Sequence, residues 1–136
     1  MRILVLCTGN SCRSQMAEAF LRHALGPEHE VMSAGTEPRP LDPRALFVMA
    51  ELGHTLYGQY SKHVRDVIGH SFDLILTVCD HARERCQVIS HLADRMHKDF
   101  DDPSRAIGTE QQIMTVYRKV RDEIRQFCTD ITKDLN

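Results

Sequence analysis

Cys7-Thr8-Gly9-Asn10-Ser11-Cys12-Arg13-Ser14 separates two stretches of different periodicity. Ahead of it, Ile3-Leu4-Val5-Leu6 is a continuous apolar run, the pattern of a buried strand. Behind it, Gln15-Met16-Ala17-Glu18-Ala19-Phe20-Leu21 has helical spacing. A turn from a strand's end to a helix's start aims several backbone N–H groups at one point, and the helix dipole adds partial positive charge there. The stretch therefore reads as a cradle for a tetrahedral oxyanion, with Thr8, Gly9, Asn10, Ser11, Cys12 and Arg13 as its substrate-binding residues. Gly9 is expected to supply a positive φ, Asn10 to hold the loop by local hydrogen bonds, and Arg13 to offer a planar donor fork. Cys7 then lies on the cradle floor, where the same field favours its thiolate. A depressed pKa and a nucleophilic role are expected of it, with Ser14 donating a hydrogen bond to the sulfur. A cysteine six positions before an arginine recurs at Cys79 and Arg85, but that segment has no glycine and carries competing charges. The spacing alone does not make a cradle.

A chain of 136 residues is expected to form a single domain spanning 1–136, long enough to bury a sheet with helices on both faces. Its 42% hydrophobic and 26% charged residues are those of an ordinary globular protein. A net charge of -2 argues against nucleic acid or a membrane surface as the main partner. No apolar stretch approaches transmembrane length, and the chain opens directly on a strand, so a cytoplasmic location is expected. The five cysteines, Cys7, Cys12, Cys79, Cys86 and Cys128, contain no C-x-x-C pair, and redox chemistry suits them better than a disulfide framework or a structural zinc.

The remaining elements follow in order. Residues 2 to 7 make the first strand and 14 to 25 the first helix, which Gly26-Pro27 stops. Glu30 to Gly35 reads as a second strand parallel to the first. Asp42 caps a helix with Pro43 at its first position, ending at Gly53. Ser61 to Ile68 suits a short helix with Val64, Val67 and Ile68 turned inward. Asp73 to Cys79 is the clearest strand, a continuous run typical of a parallel sheet interior. Ligands of open α/β sheets bind beyond the strands' C-terminal ends, so Cys79 and Cys7 are placed to meet. Asp80 to Cys86 suits a helix or loop, and Gln87 to His97 has no clear pattern. A short strand leads to Asp101-Asp102-Pro103, and a long helix opens at Thr109 or Glu110. Its stripe, Ile113, Val116, Tyr117, Val120, Ile124, Phe127, Ile131 and Leu135, is expected to pack on the sheet.

The loop motif extended to C-T-G-N-S-C-R-S-Q-M-A-E, together with S-A-G-T-E, L-T-V-C with a second cysteine seven residues on, F-D-D-P and V-R-D-E-I, resembles the low-molecular-weight tyrosine phosphatase family. Within it the chain resembles the thioredoxin-coupled arsenate reductases. The resemblance implies a three-layer doubly wound α/β fold of about four parallel strands. Two features favour the reductases. Phosphatases acting on phosphotyrosine commonly place aromatic residues after the Asp-Pro pair, whereas this chain has Ser104-Arg105-Ala106. They also have no catalytic use for Cys79 and Cys86.

The mechanism that the resemblance implies binds arsenate, with phosphate or sulfate as mimics, on the loop and Arg13. Cys7 attacks arsenic while Asp102, which directly precedes Pro103, acts as general acid; Asp101 is the alternative acid. Cys79 then attacks Cys7, and Cys86 attacks Cys79, leaving a disulfide for thioredoxin to reduce. No tightly bound cofactor is implied, and a monomer is expected. Seven residues of helix between Cys79 and Cys86 would separate their Cα atoms by roughly 10 Å, beyond the 4.4–6.8 Å of about every disulfide, so that segment must unwind. Asn10, Glu18, Ser33 and Asp66 match positions that hold a potassium ion in some relatives. Cys12 reads as a packing residue able to protect Cys7 under oxidation, and Cys128 as structural. The alternative activity is a phosphatase acting on phosphotyrosine or another phosphomonoester through Cys7, Arg13 and Asp102.

Overall fold

A computed structural model describes residues 1–80, 82 and 93–135. Cys86 and the rest of the segment around it lie outside the described residues, so the expected unwinding between Cys79 and Cys86 does too.

Four strands, β1 (Arg2–Cys7), β2 (Glu30–Gly35), β3 (Leu74–Thr77) and β4 (Asp94–His97), form one parallel sheet in the order β2-β1-β3-β4. The apolar run Ile3 to Leu6 occupies the central strand and is buried throughout, as a strand with a neighbour on each side and helix packing requires. From β1 the chain turns to one side to form β2, then crosses to the other side to form β3. The loops after β1 and β3 therefore diverge and leave a crevice between them. Register places the site: Leu6 is level with Thr77 and Cys7 with Gly35, so Thr8 and Cys79 leave adjacent strands side by side.

Among the described residues three α-helices accompany the sheet: α1 (Arg13–Leu25), α2 (Pro43–Glu51) and α3 (Glu110–Leu135). α1 packs against β1, β2 and α3, which explains why its first two turns are buried nearly all round. The apolar stripe of α3 packs on α1, α2 and the turn Pro103–Arg105, and its buried residues join the same core as the strands. Asp42 caps α2 as expected, its carboxylate accepting from the Arg44 N–H at 2.9 Å and from the Tyr117 hydroxyl of α3. Arg121, almost fully buried, donates to the Val48 carbonyl at 3.0 Å and pairs with Glu51 at 2.8 Å, fastening α3 to the end of α2. Cys128 is buried against α1, and burial pushes its thiol up to about 12.

One local expectation is corrected. Ser61 to Ile68 forms only a single 3-10 turn, Val64–Asp66, with Val67 buried but Ile68 exposed. The segment is tied down by its backbone instead, Gly35 N–H donating to the Lys62 carbonyl at 2.9 Å. β4 arises from Asp94-Arg95-Met96-His97, polar and partly exposed because it pairs on one side only. No helix among the described residues is long and apolar enough to cross a membrane.

Candidate active site

The loop from Cys7 to Arg13 owes its shape to a left-handed residue, and that residue is Asn10 (φ 48°), not Gly9. A non-glycine residue adopts this conformation only when its surroundings hold it there. Asn10 is fully buried, and its side-chain amide donates to Ser14 Oγ and Ser33 Oγ, both at 2.9 Å. Its side-chain oxygen accepts from the Lys62 N–H at 3.0 Å, and its main-chain carbonyl accepts from Gln15 Nε2 at 2.9 Å and Ser61 Oγ at 2.7 Å. Every polar group of Asn10 on the buried side thus has a partner, which is what makes its burial tolerable. Ser14 Oγ accepts from Asn10 in this network and keeps its own hydroxyl hydrogen; no hydrogen bond from it to Cys7 stands among the described residues.

Gly35 is the glycine the loop depends on. A Cβ there would stand 2.5 Å from the Thr8 carbonyl oxygen and 3.0 Å from the Asn10 backbone nitrogen. Gly35→Ala is expected to displace the loop and cost about 1–3 kcal/mol of stability through overpacking. Thermal unfolding, with phosphate binding by calorimetry, checks both losses.

α1 begins without a side-chain cap at Cys12, so its first-turn N–H groups face the crevice. Arg13 reaches across this opening; its guanidinium donates to the Phe100 carbonyl at 3.0 Å and lies 3.7 Å from Asp102. Asp102 caps the turn Pro103–Arg105, accepting from the Ser104 N–H at 3.0 Å and its hydroxyl at 2.7 Å. Burial pushes the Asp102 carboxyl up, but the Ser104 hydrogen bonds and the Arg13 charge outweigh it and hold the group below its usual value. Asp101 is exposed beside it. The loop, Arg13, Asp102 and Cys79 line one cavity of about 700 Å³, with Glu37 and Arg39 among the residues at its wall. No aromatic ring stands at positions 104 to 106.

Cys7 and Cys79 are brought together at this cavity, both buried and both reduced. Cys79 Sγ also lies 3.3 Å from Thr8 Oγ1, a contact set by the strand register. The expected depression of the Cys7 pKa is not found. Its hydrogen bond to Cys79, followed by burial, raises the Cys7 pKa well above the ordinary value, against the opposing charge of Arg13. Cys79 is pushed down to about 5, first by the hydrogen bond from Cys7 and further by Thr8, the Ala82 N–H and Arg13. The hydrogen bond between the two sulfurs couples them, so the pair holds one proton and titrates as a unit, with the bond from Cys7 favouring the Cys79 thiolate. Cys79 should thus exist as thiolate above about pH 5 and lose its reactivity as pH falls through that value. Alkylation of Cys79 by iodoacetamide, followed by mass spectrometry across pH 4–9, should rise to a plateau from a midpoint near 5. A midpoint near 9 would contradict the shared-proton arrangement. Cys12 is buried in the loop, and burial, followed by the Asp42 charge, raises its pKa, which makes it a packing residue rather than a nucleophile.

The residues matched to a potassium site do not fit one. Ser33 Oγ donates to Glu18 Oε1 at 2.6 Å while accepting from Asn10, and Glu18 also pairs with Arg22 at 2.9 Å. The Lys62 ammonium donates to the Ser33 carbonyl at 2.8 Å, and Asp66 is exposed on its 3-10 turn. The oxygens are committed to protein donors, and a cationic group already stands beside them.

The family profile of low molecular weight phosphotyrosine protein phosphatases matches residues 2–136. This chain belongs to that family. Among relatives, the low-molecular-weight phosphatase homologues named arsenate reductase from Halalkalibacterium halodurans and from Bacillus subtilis are each 43% identical over 122 residues, covering 90% of this chain and 88% of theirs. Among solved structures, an arsenate reductase in oxidized state superposes with a TM-score of 0.85 at 21% identity over 99% of this chain and 98% of its own, a likeness of fold. The arginine phosphatase YwlE from Geobacillus stearothermophilus gives 0.78 at 27% identity, covering 98% and 92%. This low-molecular-weight phosphatase fold thus carries both chemistries among its members.

Thr8, Gly35 and Lys62 shape the site without having been singled out for these roles in the sequence. The register between β1, β2 and β3 is the signal that finds the first two; nothing local marks Lys62.

Proposed function

We propose that this protein reduces arsenate to arsenite through Cys7, Cys79 and Cys86. The observation that carries the reading is the second thiol: Cys79 lines the same cavity as Cys7 and the loop, with its sulfur 3.3 Å from Thr8 Oγ1. Hydrolysis of a phosphoester needs one thiolate, an arginine and an acid; only an electron-transferring reaction uses a second sulfur there. The names of the 43% identical relatives support the same reading.

In the reaction, arsenate binds with its oxygens on the loop N–H groups and Arg13. The shared proton passes to Cys79 as the Cys7 thiolate attacks arsenic. A sulfur–arsenic bond forms, an arsenic–oxygen bond breaks, and the oxygen leaves as water with a proton from Asp102. The resting Asp102 is a carboxylate, but the bound oxyanion neutralises Arg13 and so removes one of the charges that keep its proton off. Cys79 then gives its proton to solvent in the crevice, with Thr8, the Ala82 N–H and Arg13 still favouring its thiolate, and attacks the Cys7 sulfur. The sulfur–sulfur bond forms, the sulfur–arsenic electron pair goes to arsenic, and arsenite departs two electrons richer. Cys86 attacks Cys79 and returns Cys7 as thiolate. Thioredoxin, a dithiol protein, reduces the Cys79–Cys86 disulfide and is itself oxidised. In this reading the enzyme acts as a cytoplasmic monomer of one domain without a bound cofactor.

Multiple turnover of arsenate to arsenite with thioredoxin, thioredoxin reductase and NADPH is expected of the wild type. The Cys86→Ser protein should stop after one arsenite per chain. Phosphomonoester hydrolysis is the weaker second reading, supported by the same cradle and by the phosphatases within the family. It would stand alone if no arsenite formed while an aryl phosphate was cleaved.

A further inference from the structure

β3 ends at Thr77, and Val78 is the last residue held by the sheet, donating to the Leu6 carbonyl at 3.0 Å and accepting from the Phe100 N–H at 3.2 Å. Cys79 follows, and the next fixed point is the side chain of Asp80. Its carboxylate Oδ1 lies 2.8 Å from His97 Nε2, while His97 Nδ1 lies 2.6 Å from Thr77 Oγ1. A carboxylate only accepts, so Nε2 carries the hydrogen of that bond, and the Thr77 hydroxyl faces Nδ1. The ring is mostly buried at the end of β4, level with Thr77 in the parallel register, whereas 70% of the Asp80 side chain is exposed. His97 is thus the rigid member and Asp80 the one held. Cys79 is bracketed by two anchors one residue away on either side, one in the sheet and one on His97.

That bracket has a direction. With both flanking residues fixed, the Cys79 sulfur is left facing Thr8 Oγ1 and Cys7. Asp80 has no other hydrogen bond or ion pair among the described residues, and it is too exposed to contribute through burial. The Thr77–His97–Asp80 chain is not needed to close the core either, since β3 and β4 are already joined by their backbone ladder.

We propose that His97 is a positioning residue for thiol exchange, holding Asp80 so that Cys79 is aimed at the Cys7 sulfur. This rests on the reading that Cys79 attacks the arsenic-bonded Cys7. A misdirected nucleophile reacts more slowly without any change in how the oxyanion binds.

The test uses the full chain carrying Cys86→Ser, which halts the relay at the Cys7–Cys79 disulfide, mixed with arsenate, quenched at intervals and assayed for that disulfide by mass spectrometry. His97→Ala and Asp80→Ala should each slow its formation at saturating arsenate by roughly tenfold, with the arsenate concentration at half-maximal rate unchanged. The double variant should be no slower than either single one, because both remove the same tie. His97→Gln, whose amide can still donate to Asp80, should recover most of the rate. The proposal is overturned if either alanine variant reacts at the parent rate, if the two losses multiply, if glutamine fails to rescue a folded protein, or if arsenate affinity falls instead. If the parent itself forms no Cys7–Cys79 disulfide, the reductase reading falls and this proposal falls with it.

Discussion

Cys79→Ser will abolish repeated arsenite production, with turnover reduced by more than about a thousandfold, while hydrolysis of an aryl phosphate by the same protein continues. The asymmetry follows from what each reaction asks of the site. Serine keeps the size of Cys79 and can hydrogen-bond to Thr8, so the cradle, Arg13 and Asp102 remain in place. It cannot, however, attack sulfur and accept the disulfide, and the arsenic-bonded Cys7 then has no route to two electrons. The hydrolytic rate should shift modestly, because removing Cys79 also removes the hydrogen bond that raises the Cys7 pKa. Parallel assays of arsenite and of aryl phosphate cleavage check this. Equal loss of both activities would mean that Cys79 supports the loop rather than the electron transfer.

Arg13→Lys will instead lower both activities together, by about 10²–10³ in kcat/KM. The guanidinium spans the crevice from the start of α1, donating to the Phe100 carbonyl while approaching Asp102. A lysine has a single ammonium and cannot present two N–H groups in a plane to an oxyanion while keeping that anchor. The same change removes the charge that helps hold Asp102 ionised. Steady-state kinetics with arsenate and with an aryl phosphate measure the effect. A loss confined to one substrate would show that Arg13 serves that reaction only.

The strand–loop–helix unit that lines the cavity is legible in the sequence because its parts are contiguous: eight residues carry the turn and the helix start. β3 is legible for the same reason, as an unbroken apolar run. What the sequence hides depends on segments far apart in the chain. Gly35 matters because its Cα faces the Thr8 carbonyl across two strands, and Thr8 touches Cys79 because Leu6 is level with Thr77. β4 lacks an apolar signature since an edge strand needs to bury only part of itself. The proton shared by Cys7 and Cys79 is also non-local: the loop alone argues for a Cys7 thiolate, and only the neighbouring sulfur moves the charge away. The matched potassium positions mislead because a pattern of oxygens does not reveal that the Lys62 ammonium already donates to the Ser33 carbonyl.

In the proposed reaction arsenate is reduced by this chain's own thiols. The most direct measurement mixes the fully reduced protein with arsenate in the absence of any external reductant, then counts arsenite and remaining thiols. One arsenite per chain, the loss of two thiols, and a disulfide within the set Cys7, Cys79 and Cys86 are expected. If no arsenite forms and all five cysteines stay reduced, the thiols do not carry the electrons, and the cradle serves phosphoester hydrolysis instead.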